Sequence, residues 1–178
     1  MARSSFGPSP GLLHDVDSTG FGVPDLAIRS GLRTDDLGRL LTDETLTSID
    51  DERIIAAGDA AAPSGLPLRM SCQAAMPLAA QAADTVLARL AGKQPKALNQ
   101  AFTGQCVSIG RTGATIQIAH LDDSPTRFFL SGGAAARVKE AVCKATVWGL
   151  RREGRKPGAY MWLKGGKRAE HLQLAQQP

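Results

Sequence analysis

The stretch RIIAAGDAAAP, residues 53–63, decides how the first half of the chain is read. Ile54 to Ala57 form a short apolar run, bounded by Arg53 on one side and by Gly58-Asp59 on the other. The run is too short for a helix and carries two β-branched residues, so a strand over 53–57, buried on both faces, is expected. Gly58 then allows a sharp turn or the close approach of another group, because it has no Cβ. On this reading Asp59 stands at the carboxyl edge of the strand, where ligands sit in open α/β sheets. A carboxylate there can accept hydrogen bonds from the hydroxyls of a sugar or sugar alcohol, at roughly 1.5–3 kcal/mol each. The small residues Ala56, Ala57, Ala60, Ala61 and Ala62 leave room for a flat or bulky ligand. The other reading is local: Gly-Asp opens a turn and Asp59 caps the next element.

Outward from this stretch, residues 60–70 read as a Gly/Pro loop and residues 71–91 as the strongest helix in the chain. Met76, Ala79, Ala80, Ala83, Val86, Leu87 and Leu90 recur at spacings of three and four, which predicts one buried stripe. Ser71 suits an N-cap and Gly92 a stop. Pro77 belongs in the first turn or at a kink near the start, since it breaks helix interiors. The N-terminal amides and positive dipole end of this helix can stabilise partial negative charge, such as that on a ring carbonyl. Upstream, LAIRSGL reads as a helical turn stopped by Gly31, and LLT within GRLLTDETL has β character. Residues 1–17 are rich in Gly, Pro and Ser without periodicity and read as a disordered or atypical leader.

Downstream, AGKQPKALN marks a break near residue 96. QCVSIG and ATIQIAH form a hairpin candidate around Arg111-Thr112-Gly113, TRFFLSG a further strand, and residues 134–153 a second long helix closed by Gly154. Its apolar positions Ala135, Val138, Ala141, Val142, Ala145, Val147, Trp148 and Leu150 span a broad face. Asp122-Asp123 precede Ser124-Pro125 and suit a turn better than a metal site.

The 178 residues suffice for one medium domain or two small ones. With five Phe, two Trp and one Tyr, the core must come from Ala, Val, Leu and Ile. No apolar run approaches the ~20 residues of a bilayer span. The N-terminus has no apolar stretch suited to secretion. Cys72, Cys106 and Cys143 are far apart, odd in number and without CxxC, as expected of reduced thiols in a cytoplasmic protein. The charge is uneven: residues 1–60 hold 11 acids and 5 bases, whereas residues 136–178 hold 10 bases and 3 acids. A basic C-terminal region is either a solvated face or a surface for phosphates or an anionic membrane.

Four segments in order carry a resemblance across residues 18–96. They are Ser18-Thr19-Gly20-Phe21 with the following GVP, SGLRTDDLGRLLTDETL, IIAAGDAA, and MSCQAAMPLAAQAADTVL. Together they resemble the closing part of the FAD-dependent pyridine nucleotide oxidoreductases, nearest to the NADH dehydrogenase-like, apoptosis-inducing-factor-like branch. The resemblance implies an α/β fold: a partial FAD/NAD(P)-binding Rossmann-like core over 18–96, then a small α+β C-terminal domain over 97–178. It implies that Asp59 binds the ribityl chain of FAD, with Gly58 as its tight-turn partner. It places Gln73 and Ala74, at the helix start, near the pyrimidine edge of the flavin. The implied activity is hydride transfer from NAD(P)H to flavin and on to an acceptor. No catalytic residue is assigned and no metal site is expected.

Both GxGxxG fingerprints of that family, which hold the FAD and NAD(P) pyrophosphates at helix N-termini, are absent from the sequence. The chain is therefore expected to be the C-terminal third to half of a longer enzyme, inactive alone and binding FAD weakly or not at all. In some relatives the C-terminal domain supports a homodimer or peripheral contact with the inner face of a membrane. Arg151, Arg152, Arg155, Lys156, Lys164, Lys167 and Arg168 around Tyr160, Met161 and Trp162 suit such contact, or a Trp packed on its own domain. The alternative is a non-enzymatic basic α/β module that binds an anionic surface or nucleic acid through residues 137–168. No RNA- or DNA-binding motif is present, which ranks nucleic acid below flavin.

Overall fold

The computed structural model describes residues 23–156 and 158–175. The leader at 1–17 and the Ser18–Phe21 turn lie outside the described residues. The chain is mixed helix and strand and divides into two compact units at Lys96/Ala97. No helix among the described residues is long and apolar enough to cross a membrane.

In the first unit a single helical turn, α1 (Leu26–Arg29), ends at Ser30 and Gly31, the latter at φ 72°. The chain then forms β1 (Leu40–Thr42), which pairs in parallel with β2 (Ala61–Pro63), Leu40 opposite Ala61 and Thr42 opposite Pro63. Between them Asp43 organises a turn. Its Oδ1 accepts from Thr45 N (2.8 Å), Thr45 Oγ1 (2.7 Å) and Thr47 N (3.0 Å). That turn holds Leu46 at φ 67° with its side chain wholly buried. Burial of an apolar side chain offsets the cost of a left-handed conformation in a branched residue.

The strand expected over 53–57 does not form. Arg53 is held in a turn by Asp51, and Ile54 N donates to Asp51 O at 3.0 Å. Only Ile55 makes a bridge, antiparallel to Thr47. Ile54 and Ile55 are half-buried rather than covered on both faces. A short apolar run does not say which neighbours will pair with it. Here the pairing passes to the alanines after Gly-Asp, inside the segment expected to be loop. Ala61 and Ala62 are buried, and their small side chains let β2 pack close to its neighbours.

The long helix α2 spans Cys72–Leu90. Ser71 caps it, its Oγ accepting from Ala74 N at 3.2 Å. At the other end Gly92 N donates to Arg89 O (3.0 Å) and Lys93 N to Ala88 O (2.8 Å), with Gly92 at φ 66°. This left-handed glycine satisfies the last carbonyls, as the sequence predicts. Pro77 lies in the second turn rather than the first, buried, and helix continues beyond it. The buried stripe is not the predicted one. Ala74, Pro77, Leu78, Gln81, Ala82 and Thr85 face the core, while Ala79, Ala83, Val86, Leu87 and Leu90 are exposed. Polar contacts explain the choice. Thr85 Oγ1 donates to Thr45 O at 2.7 Å, and Gln81 Nε2 donates to Lys96 O at 2.9 Å. Arg89 Nη2 reaches Thr47 Oγ1 at 2.7 Å. These bonds anchor α2 to the Asp43 turn and to the end of its own unit. They lie on the Leu78 face, and a reading of apolar spacing alone passes over Gln81 and Thr85.

The second unit contains an antiparallel sheet in the order β3 (Gly104–Ile109), β4 (Gly113–Ala119), β5 (Pro125–Ser131), against which α3 (Gly132–Arg155) packs mainly along β4. The hairpin turns through Gly110–Thr112, as predicted. Asp122 Oδ1 accepts from Ser124 N (3.1 Å) and Ser124 Oγ (2.6 Å), the expected turn before β5. Helix α3 runs through Gly154 instead of stopping there, and Ala135 is its one buried residue. Val138, Val142, Val147, Trp148 and Leu150 are exposed, so the broad apolar face predicted there is largely uncovered. Arg152 lies over the Trp148 ring, 5.4 Å from its centroid. Trp162 is half-buried and donates Nε1–H to Asn99 O at 2.9 Å. A short helix, α4 (Arg168–Ala175), completes the unit, in a segment where the sequence predicts no element.

Candidate functional site

The Gly-Asp pair lies in one 3-10 turn, Gly58–Ala60, which leads directly into β2. Asp59 therefore stands before a strand, not at the carboxyl edge of one. Gly58 has φ 63°, a left-handed conformation that favours glycine. A Cβ placed there would meet Ala75 O at 3.7 Å and Ala75 Cβ at 3.8 Å, ordinary contact distances. The glycine is thus demanded by its backbone angle rather than by lack of space. The same contacts show that the turn is packed against the first turns of α2.

Asp59 is half-buried, and Ser71 N donates to its Oδ1 at 3.4 Å. The N-cap residue of α2 is therefore tied by its amide to the Gly-Asp turn while its hydroxyl caps the helix. Partial burial pushes the Asp59 carboxyl above the usual carboxylate range; the Ser71 N–H and the positive charge of Arg39 oppose that rise without cancelling it. Arg39 is itself bound to Asp35, Nε to Oδ2 at 2.6 Å, with both side chains largely buried. It comes near Asp59 because it precedes Leu40, whose strand pairs with β2.

Of the four residues predicted to hold a cofactor, Gly58 and Asp59 meet the helix start, at Ala75 and Ser71, and Gln73 lies in the first turn of that helix. Gln73 Oε1 accepts from Arg69 Nη2 at 3.0 Å, which ties the helix to the loop before it. Ala74 departs from expectation. Its side chain is wholly buried and its amide is committed to Ser71, donating to Oγ at 3.2 Å and O at 2.9 Å. It belongs to the buried face of the helix. Cys72 is exposed as the first residue of α2, where backbone amides lack partners within the helix. Sequence reasoning identifies Ser71 as a cap but not as a partner of Asp59. It has no signal for Arg39, whose place depends on parallel strand pairing.

The arrangement combines a half-buried carboxylate, whose Oδ1 accepts one long hydrogen bond, with the positive end of a helix. It suits recognition of a neutral polyhydroxyl group, since hydroxyl donors relieve the desolvation that disfavours the ionised carboxyl. It offers no nucleophile–base pair within hydrogen-bonding reach. No protein-family model matches the chain, and no curated protein matches it.

Proposed function

We propose that the first unit is the flavin-contacting part of an FAD-dependent NAD(P)H oxidoreductase with a Rossmann-like dinucleotide-binding core. In this reading Asp59 accepts hydrogen bonds from the ribityl hydroxyls, and the start of α2 at Ser71–Gln73 faces the polar edge of the ring. The observation that carries it is the junction between Asp59 and Ser71 N, which brings an acceptor and a helix N-terminus to one place. Bound flavin supplies the hydride chemistry, and the contribution of these residues is to position it. With no GxGxxG fingerprint in the sequence, the diphosphate has no such loop to hold it here. FAD and riboflavin should therefore bind with similar, low affinity.

The test is a titration of the 15N-labelled full chain with riboflavin and with FAD, monitored by amide shifts. Saturable shifts at Gly58–Ala60 and Ser71–Gln73 are expected from both ligands and should be lost in Asp59→Ala. Absence of shifts there at saturating riboflavin, or a response that survives Asp59→Ala, would defeat the proposal. A tight, stoichiometric yellow complex with FAD would defeat the inference that no diphosphate anchor is present.

A further inference from the structure

A groove of about 1010 Å³ lies within the second unit, between the β3–β4 turn and the first half of α3. Arg111 from the turn and Arg137, Lys139 and Lys144 from the helix line it, with Glu140 as its one acid. Glu140 is already paired, Oε1 lying 3.3 Å from Lys144 Nζ, and Lys139 Nζ donates to Cys106 O at 3.4 Å. Arg111 and Arg137 have no ion pair among the described residues. The contrast with the first unit is plain, where Arg29, Arg33, Arg39 and Arg53 each pair with an aspartate. Arg111 and Arg137 are both exposed and line one concavity, so an anion seated there meets positive charge from the turn and from the helix.

The rest of the lining fits an anion that carries a body. Gly133, in the first turn of α3, also lines the groove, and the N-cap Ser131 supplies no side-chain cap to that turn. The uncharged helix residues are small, which leaves space beyond the charged group. The volume is at the upper end of the ~300–1,000 Å³ typical of small-molecule sites. We propose that this groove binds the phosphate group of a phosphorylated small molecule, with Arg111 and Arg137 as its paired clamps. Planar guanidinium forks match phosphate oxygens two at a time, which ammonium groups do not. The site belongs to the second unit and does not rest on the flavin reading of the first.

The full chain is titrated at low ionic strength with inorganic phosphate and with adenosine 5′-monophosphate, monitored by amide shifts. Saturable shifts of Gly110, Thr112, Gly133 and Ala136 are expected, and sodium chloride at matched ionic strength should not reproduce them. Arg111→Gln and Arg137→Gln should each weaken binding roughly tenfold or more. Arg137→Lys should retain part of it, which separates lost charge from lost fold. Arg151→Gln, exposed on the same helix outside the groove, should leave it unchanged. No saturable response, or equal weakening by Arg151→Gln and Arg137→Gln, overturns the proposal. Flotation with phosphatidylcholine vesicles containing phosphatidic acid then identifies the source of the phosphate. Arg137-dependent flotation assigns a lipid headgroup, and a saturable phosphate response without flotation assigns a soluble ester.

Discussion

Replacing one leucine at a time on α2 tests which face of that helix is buried. Leu78 is 2% exposed and Leu87 is 62% exposed on the same helix. Leu78→Ala removes buried methyl groups and leaves a cavity beneath α2. Leu→Ala at such sites costs about 2.7–5.0 kcal/mol in a well-studied lysozyme series. We expect about 3 kcal/mol here, since the neighbouring core residues are mostly small alanines that can close in part. Leu87→Ala withdraws a side chain that is already mostly in water. Full burial of a leucine is worth ~2 kcal/mol, so the covered fraction of Leu87 contributes roughly 0.7 kcal/mol. Alanine's better helix propensity returns ~0.2 kcal/mol. The net cost is about 0.5 kcal/mol. Urea unfolding of the full chain, monitored by helical ellipticity, separates the two. With a slope of ~1.5 kcal/mol/M, Leu78→Ala should lower the midpoint by about 2 M and Leu87→Ala by about 0.3 M. Trp148 and Trp162 both lie in the second unit, so tryptophan fluorescence is the wrong probe for this change. Equal losses from the two variants would mean that the Leu87 face is also covered, and would refute the packing described for α2.

Thr85→Val keeps shape but leaves Thr45 O without its buried donor, and should cost about 1–3 kcal/mol, whereas Thr85→Ser keeps the bond and should cost about 1 kcal/mol; equal costs in urea melts would remove Thr85 as an anchor. Ser71→Ala should cost ~1 kcal/mol through the lost cap, and Ser71→Gly much less, read in the same melts. The carboxyl of Asp59 is raised by burial, so its neutral form is favoured by folding: its stabilising contribution is present below the unfolded pKa and is lost as pH rises through the folded one. Asp59→Asn should therefore be at least as stable as the parent chain at neutral pH while losing the riboflavin response, and a destabilised Asp59→Asn would contradict the assigned burial. Riboflavin binding through the ionised carboxylate should fade as pH falls through that raised value, before the other shifted acids titrate. Asp51 shows the opposite sign: the Arg53 guanidinium beside it holds its carboxyl down to about 2, so its contribution is present above the unfolded carboxylate pKa and is lost as pH falls through about 2, a midpoint that carboxyl carbon shifts should report.

Local chemistry was legible along the chain. Ser71 and Gly92 bracket α2, Gly31 stops α1, and the Arg111-Thr112-Gly113 segment sits at the hairpin, because capping and turn formation depend on residues a few positions apart. The Gly58-Asp59 turn was also visible, since a left-handed glycine before an aspartate is a local signal. Features that depend on distant partners were not legible. The strand moved from residues 53–57 to Ala61–Pro63 because strand identity depends on which distant segment donates and accepts, and β1 paired beyond the turn. The buried stripe of α2 moved to the face bearing Gln81 and Thr85 because their hydrogen bonds to Lys96 O and Thr45 O complete a polar anchor, and spacing of apolar residues carries no record of it.

By itself the sequence determined where the chain turns, where its long helices start, and that an acid succeeds a glycine near residue 59. Only the tertiary structure decided that this acid meets the α2 cap and feels Arg39, and that Arg111 and Arg137 share one groove. Turns and caps are contracts between near neighbours, whereas the surroundings of a charge are set by groups brought close through pairing and packing, at separations no local pattern encodes.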